Sequence, residues 1–349
     1  MAHMIDTTTG RAAMAYAGQT PWHGLGQALT PGASIETWTR EAGLGYDVLE
    51  SPVQYKATVH GLAGLGGPVT KTWDARKVLH RSDTGAPLAV VSNAYNVVQP
   101  GQVMDFFREL VDLGGFQLET AGALSDGRRV WALASVGDAA PVVERDLVKP
   151  YLLLGTSYDG TMATVAKFTA IRVVCNNTIT AAVGGYSGGR VIKGEGEKNL
   201  GYLKSAVRVL HSERFDAEAV RLQLGIVANA WEGFLVQSRQ LAGFAMDQAD
   251  ADVFVAELLR PYHSSARPVN ESKAYVRIMQ LFNGQAIGSD LPGVAGTRWA
   301  MLNAVTELVD HERGRSNNTR MESAWFGTGA ALKARAVDLL ADADLGVAA

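Results

Sequence analysis

The residues best suited to chemistry lie in a basic stretch between positions 160 and 215. This window holds eight Lys and Arg residues against three Glu residues. Proteins that bind single-stranded nucleic acid combine such cations, which neutralise phosphates, with aromatic rings on which bases stack. Phe168, Tyr186 and Tyr202 supply the rings here. The candidate nucleic-acid-binding residues are Lys167, Arg172, Asn176, Asn177, Thr178, Arg190, Lys193, Lys198, Lys204 and Arg208.

The same stretch contains groups suited to contact a sugar–phosphate backbone. Its Asn and Thr side chains are short and polar, and the glycine-rich loop 184–201 would let a nucleic acid approach closely. Each feature also has a structural explanation, because Asn and Thr cap helices and turns, and aromatic rings pack in cores. A second basic stretch, 311–335, holds five basic and two acidic residues, whereas the remainder of the chain is acidic. Whether the two stretches form one face is left open.

The second hypothesis is an enzyme, because three residues have a spacing that would let side chains from one helix face coordinate a metal ion. Glu307 and His311 lie four residues apart on a predicted helix, with Asp310 beside them, so they would share one face. Cys175 follows a β-branched run, which is more typical of a packed thiol than of a nucleophile. The sequence contains no phosphate-binding loop motif and no G-x-S-x-G motif. We therefore expect no cofactor, no bound metal and no catalytic residue.

The pattern of strands and helices along the sequence predicts an α+β fold in two parts. Over 1–202, alternating runs and turn-rich segments indicate an antiparallel sheet mixed with helices. The run VQYKATV at 53–59 has the alternation of a half-buried strand. The order of helix, strand and hairpin recurs, so a duplicated unit is an open alternative. The pattern over 203–349 is all-helical, and the first helix of this region is predicted at 202–213.

Length and composition exclude several classes of protein. A chain of 349 residues with 47% hydrophobic and 19% charged residues can bury a large core, which excludes general disorder. The sequence contains no run of 18 apolar residues, so no membrane-spanning helix is predicted. The N-terminal residues lack the pattern of a secretory signal. The single cysteine excludes an intrachain disulfide. We therefore expect a cytoplasmic protein without a membrane partner.

Several motifs in order carry a family resemblance. They are T-P-W-H-G-L-G at 20–26, R-V-V-C-N-N-T at 172–178, G-T-R-W-A-M-L-N at 296–303 and S-A-W-F-G-T-G at 323–329. Over nearly the whole chain they resemble the phage/plasmid-like protein family, a bacterial and phage domain of unknown function. The resemblance implies a bacterial host cell and a mobile element, but no activity. The order of elements across 101–182 is also similar to that of Rad-type single-strand annealing proteins, which is an analogy of fold alone.

These observations favour one hypothesis over two others. The leading hypothesis is a non-catalytic, homo-oligomeric protein that binds single-stranded DNA in phage or plasmid DNA metabolism, with annealing or recombination as its extension. The first alternative is a metal-dependent hydrolase or nuclease that uses Glu307, Asp310 and His311. The second is a host-interaction factor that binds a protein through the acidic part of its surface.

Overall fold

The predicted α+β class is confirmed. The computed structural model describes residues 5–18, 24–58, 67–112, 115–174, 178–179, 206–224, 227–313, 320, 323–325 and 327–341. For 178–179, 206–208, 221–224 and 227–230 it describes the backbone alone. Strands dominate the N-terminal part and helices the C-terminal part. Among the described helices, none combines the length and the apolar character that crossing a membrane would need.

The described elements follow one another in this order along the chain. The strands are β1 (Met14–Ala17), β2 (Gln27–Leu29), β3 (Val48–Thr58), β4 (Pro68–Arg81), β5 (Pro87–Ser92), β6 (Phe116–Leu124), β7 (Arg129–Val136), β8 (Ala140–Val143), β9 (Asp146–Ser157), β10 (Thr164–Arg172), β11 (Thr178–Ile179) and β12 (Ala206–Val209). The helices are α1 (Ile35–Glu41), α2 (Pro100–Asp112), α3 (Ala217–Leu224), α4 (Val227–Gly243), α5 (Gln248–Leu259), α6 (Lys273–Gln280), α7 (Arg298–Glu307) and α8 (Thr328–Ala341). Two π-helical turns, Leu281–Gln285 and Leu308–Glu312, continue α6 and α7.

A large sheet forms the centre of the fold. Its strand order is β11-β10-β9-β7-β6-β1-β2, with β12 also paired to β10 and β8 to β9. All pairs are antiparallel except β1 with β2. Neighbouring side chains of β9 enter different cores: Leu154 packs with the core that contains α1 and α2, and Leu153 packs with Trp131. Because both faces are covered, the central strands are continuously apolar.

The C-terminal helices pack against the same sheet. Helix α7 is buried along nearly all its length, from Trp299 to Glu307. Its core includes Phe168 and Ala170 of β10 together with residues of α4, α5, α6 and α8. The sheet and the helical region therefore share one apolar core, which continues across the predicted boundary between them.

One predicted helix is wrong. Residues 206–209, within the helix expected at 202–213, form β12, which pairs antiparallel with 164–167 of β10. The partner strand lies about 40 residues earlier in the sequence, so local apolar spacing contains no information about this pairing. The final strand of the large sheet thus lies just beyond the boundary predicted at 202.

The repeated order of helix and antiparallel strands is present, but its two occurrences belong to different sheets. Helix α1 precedes β3, β4 and β5, which form a separate three-stranded sheet. Helix α2 precedes β6, β7 and β9, which belong to the large sheet. Both helices pack on one core, which joins the two sheets.

Arg81 anchors the small sheet to the large one. Its guanidinium is buried, binds the Asp6 carboxylate, and donates to both carboxylate oxygens of Asp83 at 2.9 and 2.7 Å. It also lies over the ring of Tyr46, 4.0 Å from the ring centre. The Tyr46 hydroxyl in turn donates to the carbonyl of Gly127, in the turn between β6 and β7, at 3.0 Å. A buried charge that is paired and hydrogen-bonded in this way fixes the neighbouring segments.

We predict that Gly127→Ala lowers the unfolding free energy more than Gly160→Ala does, although both glycines have a positive φ. Gly127 has a φ of +84°, and an added Cβ would lie 2.7 Å from Arg81 Nη1. Gly160 has a φ of +72° and open space around it, so Gly160→Ala is the matched control. The control should lose about 1–2 kcal/mol of unfolding free energy from backbone strain alone. Gly127→Ala should lose roughly 1–3 kcal/mol more, because the anchor must shift. Urea denaturation measures both losses, and equal losses would contradict the prediction.

Candidate nucleic-acid interface

Lys167 lies in the protein interior. It sits on β10 and is 7% exposed, and its Nζ donates to the carbonyl of Trp325 at 2.7 Å. Burial, together with the nearby charge of Lys333, lowers the pKa of Lys167 to about 7, and Asp310 opposes this shift. Its predicted role as a phosphate-binding residue is therefore wrong, because the side chain is not accessible to a polyanion.

Arg172 is also buried, at the last position of β10. Its Nε binds Asp146 Oδ1 at 2.7 Å, and the two side chains are 1% and 0% exposed. Its two terminal nitrogens donate to the carbonyls of Ile287 and Gly288 at 2.9 and 3.0 Å. Trp299 Nε1 donates to the other Asp146 oxygen at 2.8 Å. Arg172 therefore joins the sheet to the helical region, and its predicted role in binding nucleic acid is wrong.

The other predicted site residues fall where side chains are not described. Thr178 and Arg208 lie on β11 and β12, which both pair with β10. The remaining predictions lie outside the described residues, as does Cys175. They are Asn176, Asn177, Arg190, Lys193, Lys198 and Lys204.

Two of the three residues of the metal hypothesis, Glu307 and Asp310, make internal contacts. Glu307 accepts the backbone N–H of Ile287 at 3.0 Å, and burial raises the pKa of its carboxyl. Asp310 binds the buried Nζ of Lys333 at 2.7 Å. Within the described ranges, no three His, Cys, Asp or Glu side chains are grouped so that they could hold a metal ion. Glu307, Asp310 and His311 are therefore not a metal site.

A different surface combines exposed cations with aromatic rings. Strand β5 pairs with β4 only from His80 to Arg76, whereas β3 and β4 continue beyond it as a two-stranded ribbon. We call residues 54–58 and 68–76 the ribbon arm. All nine residues from 68 to 76 are exposed. The strand predicted at 53–59 is present from 53 to 58, but only Val53 and Ala57 of these residues are partly buried. Among the described residues, no third strand extends the sheet along positions 68–75.

The ribbon arm carries two aromatic rings and three cations. Tyr55 and Trp73 are each 49% exposed. Lys71 is the direct cross-strand partner of Tyr55, so the two side chains share one face of the ribbon. The Arg76 guanidinium carbon lies 5.6 Å from the centre of the Trp73 ring. Lys56 adds a further exposed cation.

The ribbon arm bulges at its root and encloses a cleft. The ladder pairs Gln54 with Thr72 and then Pro52 with Lys77, so the β4 segment 73–76 bulges opposite Val53 alone. The cleft has a volume of about 250 Å³. Lys77 Nζ binds Glu50 Oε1 there at 2.8 Å. Residues that line the cleft include Glu50, Trp73, Asp74, Arg76, Lys77 and Asn93.

Fold and surface together define an α+β protein with a protruding basic and aromatic ribbon. The chain belongs to the family described as Domain of unknown function (DUF932), whose model matches residues 87–193 and 199–325. No curated protein and no solved structure matches the chain. The joint formed by Asp146, Arg172 and Trp299 lies within the matched segments, and the ribbon arm precedes them.

We predict that Arg172→Ala costs roughly 3–5 kcal/mol of unfolding free energy, because it leaves the Asp146 carboxylate buried without its cation. Arg108→Ala is the control: it removes an ion pair with Glu36 whose side chains are 40% and 65% exposed. Such a pair contributes about 0–1 kcal/mol. Urea denaturation of both variants gives the comparison. A loss below 1 kcal/mol for Arg172→Ala would show that the joint does not stabilise the fold.

We also predict that Lys167 makes stability rise with pH. Its pKa is about 7 in the folded protein, against 10.5 for an ordinary lysine. Between these values the unfolded chain binds a proton that the folded chain lacks, so unfolding becomes less favourable as pH rises. The gain is about 1.4 kcal/mol per pH unit. Lys167→Met should reduce the rise measured between pH 7 and pH 9, whereas Lys273→Met, at an exposed position of α6, should not. An unchanged slope in Lys167→Met would contradict the assignment.

Proposed function

We propose that the protein binds single-stranded DNA through the ribbon arm, without catalysis. The observation that carries the proposal is the pair of half-exposed rings, Tyr55 and Trp73, set among the cations Lys56, Lys71 and Arg76. Unpaired bases stack on aromatic faces, and Lys and Arg neutralise the phosphates between them. This is the chemistry expected from the sequence, at a different place in the chain.

The exposure of the ribbon arm supports a partner on this surface. A two-stranded ribbon has little stability of its own in water, and this one places Tyr55, Val69 and Trp73 in solvent. Large apolar side chains that are exposed together mark interaction sites. The neighbouring cations favour a polyanion as the partner.

A single strand fits the arm better than a duplex. Bases within a duplex are stacked on one another, so their faces are not available to Tyr55 and Trp73. A β-ribbon can also enter the major groove of duplex DNA, where it would contact base edges. Binding of both forms must therefore be measured.

The wider setting is part of the same proposal. It includes a homo-oligomer that serves phage or plasmid DNA metabolism. The family resemblance implies the bacterial cytoplasm and the mobile element. The predicted nucleic-acid contacts whose side chains are not described stay predictions. They are Asn176, Asn177, Thr178, Arg190, Lys193, Lys198, Lys204 and Arg208. Sedimentation velocity at several protein concentrations, with and without oligonucleotide, measures the oligomeric state.

We predict that Trp73→Ala weakens binding of a labelled single-stranded oligonucleotide about tenfold or more, because each stacked base contributes roughly 1–3 kcal/mol. Lys71→Gln should lower the slope of log affinity against log salt by about 0.7, the value for one phosphate contact on a single strand. Fluorescence anisotropy at several salt concentrations measures both effects, with a duplex of the same sequence beside the single strand.

The control variants are Tyr262→Ala and Lys273→Gln, which alter an aromatic ring and a lysine on the helical region. Both should bind as the unaltered protein does. If the unaltered protein binds no oligonucleotide at low salt, or if Trp73→Ala binds equally well, the ribbon arm is not a DNA-binding surface. Tighter binding of the duplex than of the single strand would show that the arm binds in a groove and does not stack on unpaired bases.

A further inference from the structure

The cleft at the root of the ribbon arm differs from the rest of the arm in its charge. Along the arm the exposed charges at positions 56 and 71 are cationic. The cleft adds two carboxylates, Glu50 and Asp74, to the cations Arg76 and Lys77. The Glu50 side chain is 47% exposed although it binds Lys77, and Asp74 is exposed as well.

These carboxylates constrain how a nucleotide can lie in the cleft. A carboxylate repels a phosphate, so Asp74 and Glu50 must face the uncharged part of the nucleotide, where hydrogen-bond donors occur. Arg76 and Trp73, which lie close together, offer the phosphate a cation and the base a ring. With about 250 Å³, the cleft is smaller than the pockets that hold drug-sized ligands, so it has room for one base of a strand.

The bases differ in what they offer a carboxylate. Cytosine presents the N4 amino group as a donor, and Asp or Glu accepts from it. Adenine presents the N6 amino group in the same way. Thymine has the O4 carbonyl at the corresponding position, which places an acceptor against an anion.

We propose that this cleft selects bases that carry an exocyclic amino group, with Asp74 as the specificity-determining residue. This inference rests on the proposed function, since it assumes that the ribbon arm binds single-stranded DNA. It adds a base preference to a surface whose stacking rings and cations alone would accept every base.

The test compares oligo(dC) with oligo(dT) of equal length, because both bases are pyrimidines of similar size and differ in the group at position 4. Anisotropy at fixed salt should show that the unaltered protein binds oligo(dC) about fivefold more tightly or better, as expected when one base discriminates through a good hydrogen bond. Asp74→Asn should remove most of this preference, because the amide also donates to the O4 carbonyl of thymine. Asp138→Asn changes an exposed carboxylate outside the arm and should keep the preference.

The possible outcomes separate this inference from the proposal on which it rests. Equal affinity for oligo(dC) and oligo(dT), with binding still weakened by Trp73→Ala, overturns the base preference and leaves the ribbon arm as the binding surface. A preference that survives in Asp74→Asn overturns the role of Asp74. Failure to bind either oligonucleotide overturns both proposals. Because Asp74 is exposed, circular dichroism and the melting temperature of Asp74→Asn should match those of the unaltered protein.

Discussion

The fold depends on one buried ion pair, Arg172 with Asp146. Neither charge could be buried alone, because an unpaired ion in the interior costs several kcal/mol. Here the guanidinium also donates to two backbone carbonyls, and the indole of Trp299 donates to the carboxylate. These bonds reach from β9 and β10 to α7 and to the loop at 287–288. The helical region can form all of these bonds only when it packs on the sheet in one position. The ion pair therefore fixes the orientation of the helical region, which non-directional apolar contacts alone would not fix.

The same principle governs the other interior cations. Arg81 is matched by Asp6, which lies 75 residues away in sequence, and Lys333 by Asp310. Lys167 lies near Lys333 and Asp310, and its pKa is lowered by burial and by the charge of Lys333, whereas Asp310 opposes the shift. A count of charges along a sequence window includes these residues together with exposed ones. The positive window at 160–215 therefore contains two basic residues, Lys167 and Arg172, whose side chains lie in the interior and contribute nothing to a surface.

The sequence predicted what local spacing determines. The helix at Pro100–Asp112 and the antiparallel α+β arrangement follow from apolar periodicity and turn residues. It failed where a partner distant in sequence decides the structure, as for β12, which pairs with β10. It also failed for two candidate site residues, Lys167 and Arg172, whose side chains are buried. Alternation in VQYKATV shows that a strand forms, but not whether anything covers it, and the burial of Lys167 depends on residues more than 150 positions later.

The distribution of charge between interior and surface decides where a polyanion can bind. Lys167 and Arg172 are satisfied inside, so binding must use cations whose side chains reach solvent, and the ribbon arm presents these beside two exposed rings. The arm precedes the segments that match the family, whereas Arg172, Asp146 and Trp299 lie within them. The family match therefore covers the body of the fold and its buried joint. The DNA binding that we propose for the arm concerns the part of the chain outside that match, so the proposal does not extend to other members through membership alone.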